Sequence, residues 1–348
     1  MRETILPLVS RWGLNSATVG ETRFKRLRLN LEEVWNMGPM EANTVNDSAA
    51  APRRRWKFFG LAAAIVTAGF AFPLYDLLRL ALTSSLYSHL VLIPLISLYF
   101  ALQDREHLKA DQSRMARNWA CLPLALGLGI LVGYGLGLSS GWKPPREDYL
   151  AVMTLAFLMF LAAAAVLTLG RATLRLLLFP GAFLIFLVPF PMVVNEAIET
   201  FFQKGSAEAS YLLFKLLGMP VFRQGTVFQL PGFSMEVAPE CSGIRSSYVL
   251  FITSIVAGQM FLRSNWRRVA LTLFVIPLAL LRNGIRIVTI GYLCVHISPD
   301  MIHSFIHRRG GPIFFVLSLV PFTALLLWLR HAERRKTSPD RSVNQTNS

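Results

Sequence analysis

Charged side chains are scarce. Asp, Glu, Lys and Arg make up 16% of the 348 residues against 53% hydrophobic, and mean hydropathy is +0.47. A soluble domain carries about 25% charged residues, so a water-exposed globule is excluded. Negative charge is the scarcer sign, with 20 Asp and Glu against 35 Lys and Arg and a formal net charge of +15. In a soluble chain that excess would point to nucleic acid. In an apolar chain it has a plainer source, because the cytoplasmic loops of membrane proteins are enriched in Lys and Arg. Cysteine is nearly absent: Cys121, Cys241 and Cys294 follow no regular spacing, which argues against a disulfide framework. There is no internal repeat, and no apolar run follows the first charges closely enough to read as a cleavable signal peptide.

Long apolar stretches recur instead, from Phe58 to Leu329. Crossing a hydrocarbon core of ~30 Å takes about 20 apolar residues in a helix. That length predicts an all-α polytopic membrane protein with about eight transmembrane helices, near 58–79, 87–103, 119–138, 149–169, 173–194, 242–262, 268–296 and 311–330. Residues 1–55 read as a largely disordered cytoplasmic tail with a short helix at 22–37, 56–333 as the membrane domain, and 334–348 as a polar cytoplasmic tail. Basic clusters at Arg53–Lys57, Arg105–Arg117, Arg171 and Arg175, Arg263–Arg268 and Arg330–Lys336 all fall on one side if both termini are cytoplasmic. The span at 268–296 is long and interrupted by Arg282, Asn283, Gly284 and Arg286; one tilted or kinked helix keeps the C-terminal basic residues inside, whereas two short crossings would not. Between spans, Asn195–Leu217 alternates Glu and Lys with Phe, Ile, Tyr and Leu, as a helix lying in the membrane interface does. Val221–Val237 holds β-branched and aromatic runs around Gln-Gly and Pro-Gly turns, a small extracytoplasmic β-hairpin that leads into Cys241.

Ionisable groups inside spans are costly and point to function. Three clusters stand near the expected outer face: Glu240 to Ser247, Arg282 to Arg286, and His303 to Gly311. A cysteine at a helix start is favoured as the thiolate nucleophile, a histidine can carry the proton, and a guanidinium can hold a carboxylate or an oxyanion. Plainer readings compete with these. A membrane cysteine is commonly packing, the reading given to Cys121 and Cys294. Arg245 and Arg282 can snorkel to head groups, which is harder for Arg286, a turn deeper. His303 and His307 share a helical face at a spacing of four, yet no HExxH or carboxylate accompanies them, so neither a metal nor a cofactor is expected.

The run Gly218–Gly225 through Leu230-Pro231-Gly232-Phe233 to Glu240-Cys241-Ser242-Gly243-Ile244-Arg245-Ser246 resembles the exosortase/archaeosortase family. Asn283-Gly284-Ile285-Arg286-Ile287, His307 with Gly311 and Phe315, and Tyr87-Ser88-His89 carry the same likeness, over about residues 87–330. The resemblance implies a membrane cysteine protease and transpeptidase of the plasma membrane, with its site on the extracytoplasmic side. It implies exported substrates bearing a C-terminal motif, a transmembrane helix and a basic tail, and transfer to a cell-envelope acceptor. On it, Cys241 is the nucleophile, Arg286 the catalytic arginine and His307 the histidine, with Arg245, Asn283, His303, His89 and Glu240 in support. The chain departs from the commoner form of the family at Pro239-Glu240 and at His307-Arg308-Arg309-Gly310-Gly311. The rival reading is a non-catalytic component of polysaccharide export, or a transporter. Inverted repeats with broken helices at the bilayer midplane would mark the latter, and no repeat is visible.

Overall fold

The computed structural model describes residues 39–84, 86–103, 117–298, 300–301 and 311–337, with the side chains of 39–53, 117, 172, 240, 336 and 337 left out. Residues 1–38, which hold the expected helix at 22–37, and both His303 and His307 lie outside the described residues. The helices are α1 (Pro39–Gly69), α2 (Ala71–Thr83), α3 (Leu92–Gln103), α4 (Cys121–Ser139), α5 (Arg146–Thr168), α6 (Arg171–Leu176) and α7 (Leu178–Phe183). They continue with α8 (Met192–Leu216), α9 (Ile244–Phe261), α10 (Asn265–His296) and α11 (Gly311–Thr337). Strands β1 (Phe222–Gln224), β2 (Val227–Leu230) and β3 (Phe233–Glu236) stand between α8 and α9. By its contacts the chain forms two compact units, Met1–Gly69 with Phe100–Leu126 and Met159–Phe179, and Phe70–Tyr99 with Gly127–Leu158 and Pro180–Ser348.

Among the described residues five helices are long and apolar enough to cross a membrane, or up to seven if each bent pair is one span, against the eight expected. The five are Asn118–Ser139, Arg146–Thr168, Ile244–Phe261, Asn265–His296 and Gly311–Arg335. Proline accounts for two of the departures. A proline ring clashes with the carbonyl four residues earlier. Pro73 therefore ends α1 at Gly69, and the expected span 58–79 becomes α1 and α2. Pro180 likewise stops α6 at Leu176, and Pro189 and Pro191 help turn the chain through 88° between Leu178–Leu187 and Met192–Leu216, so 173–194 is no straight span. The expected span 87–103 is a 3₁₀ turn, Ser88–Val91, followed by the 12-residue α3. Residues 268–296, in contrast, lie in one continuous helix that accommodates Pro277. Within the described residues α1 is helical from Pro39 through the basic cluster Arg53–Lys57 to Gly69.

In the second unit, α9, α10 and α11 pack around Leu250, Leu262, Leu271, Val275, Leu278, Phe322 and Leu326. Helix α8 lies along α10 through small residues. A Cβ on Gly205 would meet Leu280 Cδ2 at 2.8 Å, and one on Gly284 would meet Ala209 Cβ at 3.0 Å. Its buried stripe is Ser206, Ala207, Ser210 and Phe214. The face that packs on α10 is this small-residue stripe with Phe214, while Phe201 and Leu212 on the same helix are exposed.

The expected hairpin is a three-stranded antiparallel meander of order β1-β2-β3, with Phe228 opposite Arg223 and Met235. The glycine turns read in the sequence account for both corners, since Gly225 and Gly232 have φ of 63° and 72°, values that disfavour a Cβ. The sheet's inner face, with Phe228, Leu230 and Met235, closes on Phe214 of α8 and on Ile287, Val288 and Ile290 of α10. This mini-core holds the sheet against the second half of α10 and fixes where the chain emerges toward Cys241.

Candidate active site

The segment between β3 and α9 is held from both ends. Val237 N–H donates to Thr226 C=O at 3.0 Å, and Val237 C=O accepts from Gln203 Nε2 of α8 at 2.7 Å. Pro239 then opens a single 3₁₀ turn, Pro239–Cys241. Cys241 N–H donates to Ala238 C=O at 2.9 Å and Ser242 N–H to Pro239 C=O at 3.0 Å. Gly243 follows with φ 77° and ψ 12°, the left-handed region that reverses the chain so that α9 can begin at Ile244. Cys241 is half-buried, and none of the three cysteines forms a disulfide among the described residues. It stands just ahead of α9, at the end where unbonded N–H groups concentrate positive potential.

Two consecutive residues of α10 clamp this turn. Asn283 Nδ2 donates to Cys241 C=O at 2.8 Å. Arg282 Nη2 donates to Gly243 C=O at 3.2 Å and to Ser247 Oγ at 3.1 Å. Ser247 Oγ in turn donates to Gly243 C=O at 2.8 Å. Asn283 is 2% exposed and Arg282 5% exposed, so these are interior contacts. A buried guanidinium without hydrogen bonds would cost several kcal/mol, so the two acceptors are a condition for Arg282 being there. Gly243 is required twice over. Besides its φ, a Cβ there would meet Asn283 Cγ and Oδ1 at 3.0 Å and Arg282 Nη2 at 3.2 Å.

Of the two readings open for Arg282, a functional cluster or snorkelling to head groups, its contacts favour the first: it braces the turn. Ser247, its partner, carried no distinguishing signal in the sequence. Asn283, expected in a supporting role, donates to the backbone of Cys241.

The other expected residues are spread around this centre. Arg286 is half-buried on α10, one turn beyond Arg282 and on the same side, since residues four apart share a helical face. Arg245 is exposed on the first turn of α9. His89 is 8% exposed, and its ring stands edge-on to Tyr248 of α9 at 4.5 Å, with Phe190 on Tyr248 at 5.1 Å. His89 therefore packs beside the first turns of α9, and its Nε2 is buried without a hydrogen-bond partner. Glu240 contributes its backbone to the 3₁₀ turn. Among the described residues no three His, Cys, Asp or Glu side chains gather as a metal site would need.

The described part of the site is thus a half-buried cysteine on a braced turn, an arginine a turn along the bracing helix and a small sheet packed on that same helix. A family model described as Transmembrane exosortase (Exosortase_EpsH) matches residues 79–340. The chain belongs to this transmembrane exosortase family. The matched segment takes in the Cys241 turn, the Arg282–Asn283 clamp, Arg286, the meander and the three-helix unit. No curated protein and no solved structure matches the chain. Family and apolar helices together make it a multi-pass membrane protein, and exosortase membership supports a membrane transpeptidase-like function in general terms.

Proposed function

We propose that this exosortase is a cysteine transpeptidase that cleaves a C-terminal sorting signal from exported proteins and passes the acyl chain to a cell-envelope acceptor. Cys241 thiolate attacks the scissile carbonyl carbon. Arg286 stabilises the oxyanion, or holds a substrate carboxylate, through its guanidinium N–H groups. His307 gives its proton to the leaving amine as the C–N bond breaks, which leaves a thioester on Cys241. The acceptor, water or an envelope amine or hydroxyl, then loses its proton to His307 as it attacks the thioester and restores the thiolate. Arg282 and Asn283 position the turn, and Arg245, His89, His303 and Glu240 serve the substrate.

The observation that carries this reading is the clamp: a residue pair one turn from Arg286 hydrogen-bonds the backbone of Cys241 and Gly243, so the two motifs meet in one place. The side follows from charge. Arg263, Arg268, Arg330 and Arg334 cluster at the end of α9 remote from Cys241, and basic residues favour the cytoplasm, which supports Cys241 facing outward and the C-terminal end of α11 facing inward.

The test is processing of an exported reporter that ends in such a motif, helix and basic tail. Cys241→Ala, Arg286→Ala and His307→Ala should each abolish cleavage while the protein still reaches the membrane. Unchanged cleavage by Cys241→Ala would end the proposal. A membrane-impermeant maleimide applied to intact cells should label Cys241, and labelling only after lysis would reverse the assigned side.

A further inference from the structure

The end of α9–α11 away from Cys241 holds a second feature, which the reaction does not use. A cleft of about 560 Å³ opens between the last turn of α9, the first turn of α10 and the last turns of α11. Arg263, Arg268, Arg330 and Arg334 line it, with Glu333 as the one carboxylate in the wall.

That carboxylate is committed elsewhere. Glu333 Oε2 accepts from Arg263 N–H at 3.0 Å and its Oε1 from Ser264 N–H at 2.7 Å, tying down the turn ahead of α10, while Arg267 Nη1 stands 3.5 Å from Oε1. Arg268 is fixed in the wall by Nε and Nη2 bonds to Leu262 C=O at 2.9 and 2.8 Å, which orient its charge without neutralising it. Arg330 lies over the Phe261 ring, 5.6 Å from its centroid. Four guanidiniums therefore share a concave site with a single, engaged carboxylate. Like charges so gathered repel one another, and a bound anion turns that repulsion into attraction. Planar, forked donors match the tetrahedral oxygens of a phosphate better than any neutral ligand. The rim adds apolar surface, with Met260 46% and Phe261 43% exposed.

We propose that this cleft binds a phosphate anion, supplied by the headgroup of an acidic phospholipid or by free phosphate. Basic pockets between the ends of membrane helices take lipid phosphates in this way. The site is about 27 Å from the Cys241 end of the 18-residue α9, so it is separate from the proposed chemistry and does not depend on it.

The experiment is thermal unfolding of the purified full chain in an uncharged detergent, titrated with dioctanoyl phosphatidylglycerol, dioctanoyl phosphatidylcholine or inorganic phosphate. Phosphatidylglycerol should raise Tm saturably and phosphatidylcholine should not. The double variant Arg330→Gln/Arg334→Gln should weaken the half-saturating concentration by about tenfold or more, the factor that one lost charge-assisted hydrogen bond carries. Arg245→Gln, a cation removed elsewhere, should leave it unchanged. An equal shift with inorganic phosphate supports the site and assigns it a soluble ligand. No shift in the parent protein, an equal shift with phosphatidylcholine, or an unchanged titration in the double variant overturns it. If the double variant does not fold, Arg334→Gln alone, exposed on the last turn of α11, decides by the same criterion.

Discussion

Replacing Gly243 by alanine isolates the link between the braced turn and the proposed reaction. Two costs add. An L-residue at φ 77° pays about 1–2 kcal/mol for the left-handed conformation alone. The new Cβ would also lie 3.0 Å from Asn283 Cγ and Oδ1 and 3.2 Å from Arg282 Nη2, so both side chains must retreat by a few tenths of an ångström. Those are the groups that hold Cys241 C=O at 2.8 Å and Gly243 C=O at 3.2 Å. Breaking one such bond costs roughly 1–3 kcal/mol when a buried group is left unsatisfied. The sum, roughly 2–5 kcal/mol, would displace the turn in most molecules or lower stability by that amount.

Gly225→Ala is the matched control. Its φ is 63°, but nothing lies within 4 Å of the added Cβ, so it pays only the first cost, and pays it in the β1–β2 turn. Both variants are compared by thermal unfolding in detergent and by reporter cleavage per folded molecule. Gly225→Ala should lose a little Tm and keep its cleavage. Gly243→Ala should lose more Tm, and at a temperature where it is folded its cleavage should fall by about tenfold or more. Equal cleavage per folded molecule in the two variants would refute the claim that the clamp positions Cys241.

Other outcomes follow from neighbouring contacts. Arg282→Met removes the donor to Gly243 C=O and Ser247 Oγ and should reduce both Tm and cleavage, whereas the exposed Arg245→Gln should leave Tm within about 0.5 kcal/mol of parental stability. Gly291→Val places methyl groups where even a Cβ would stand 2.8 Å from Phe214 Cζ and 3.1 Å from Leu230 Cδ1; overpacking of about 1–3 kcal/mol should lower Tm and expose the sheet to limited proteolysis. Glu333→Ala removes the acceptor of the Arg263 and Ser264 N–H groups, an expected loss of about 0.5–1.5 kcal/mol for each hydrogen bond, readable by thermal unfolding with Cys241 alkylation unchanged.

The parts of the fold legible in the sequence are those for which a single apolar run decides the matter. Helices α4, α5, α9, α10 and α11 coincide with runs of sufficient length, and the family over 79–340 agrees with motifs spread across about 87–330. Proline is where legibility fails. Pro73 and Pro180 end helices, while Pro277 and Pro321 sit inside continuous ones. The ring costs each helix the same bond, and only neighbouring helices decide whether that bond is replaced. The packing face of α8 was hard to read for a related reason: it is built largely of small residues, Ser206, Ala207 and Ser210, which do not stand out in an apolar pattern. At the candidate site Cys241 and Asn283 were legible from motifs. The role of Arg282 was not, because its acceptor is a backbone carbonyl on a glycine 39 residues away, which no side-chain pattern reveals.

The central claim is that the sulfur of Cys241 carries the acyl chain. Membranes processing the reporter, quenched in acid and digested, should yield a Cys241 peptide bearing the reporter's cleaved C-terminus. Neutral hydroxylamine should release that adduct, and Cys241→Ser should neither form it nor cleave the reporter. Continued cleavage by Cys241→Ser, or an acyl adduct on any other residue, would contradict the account.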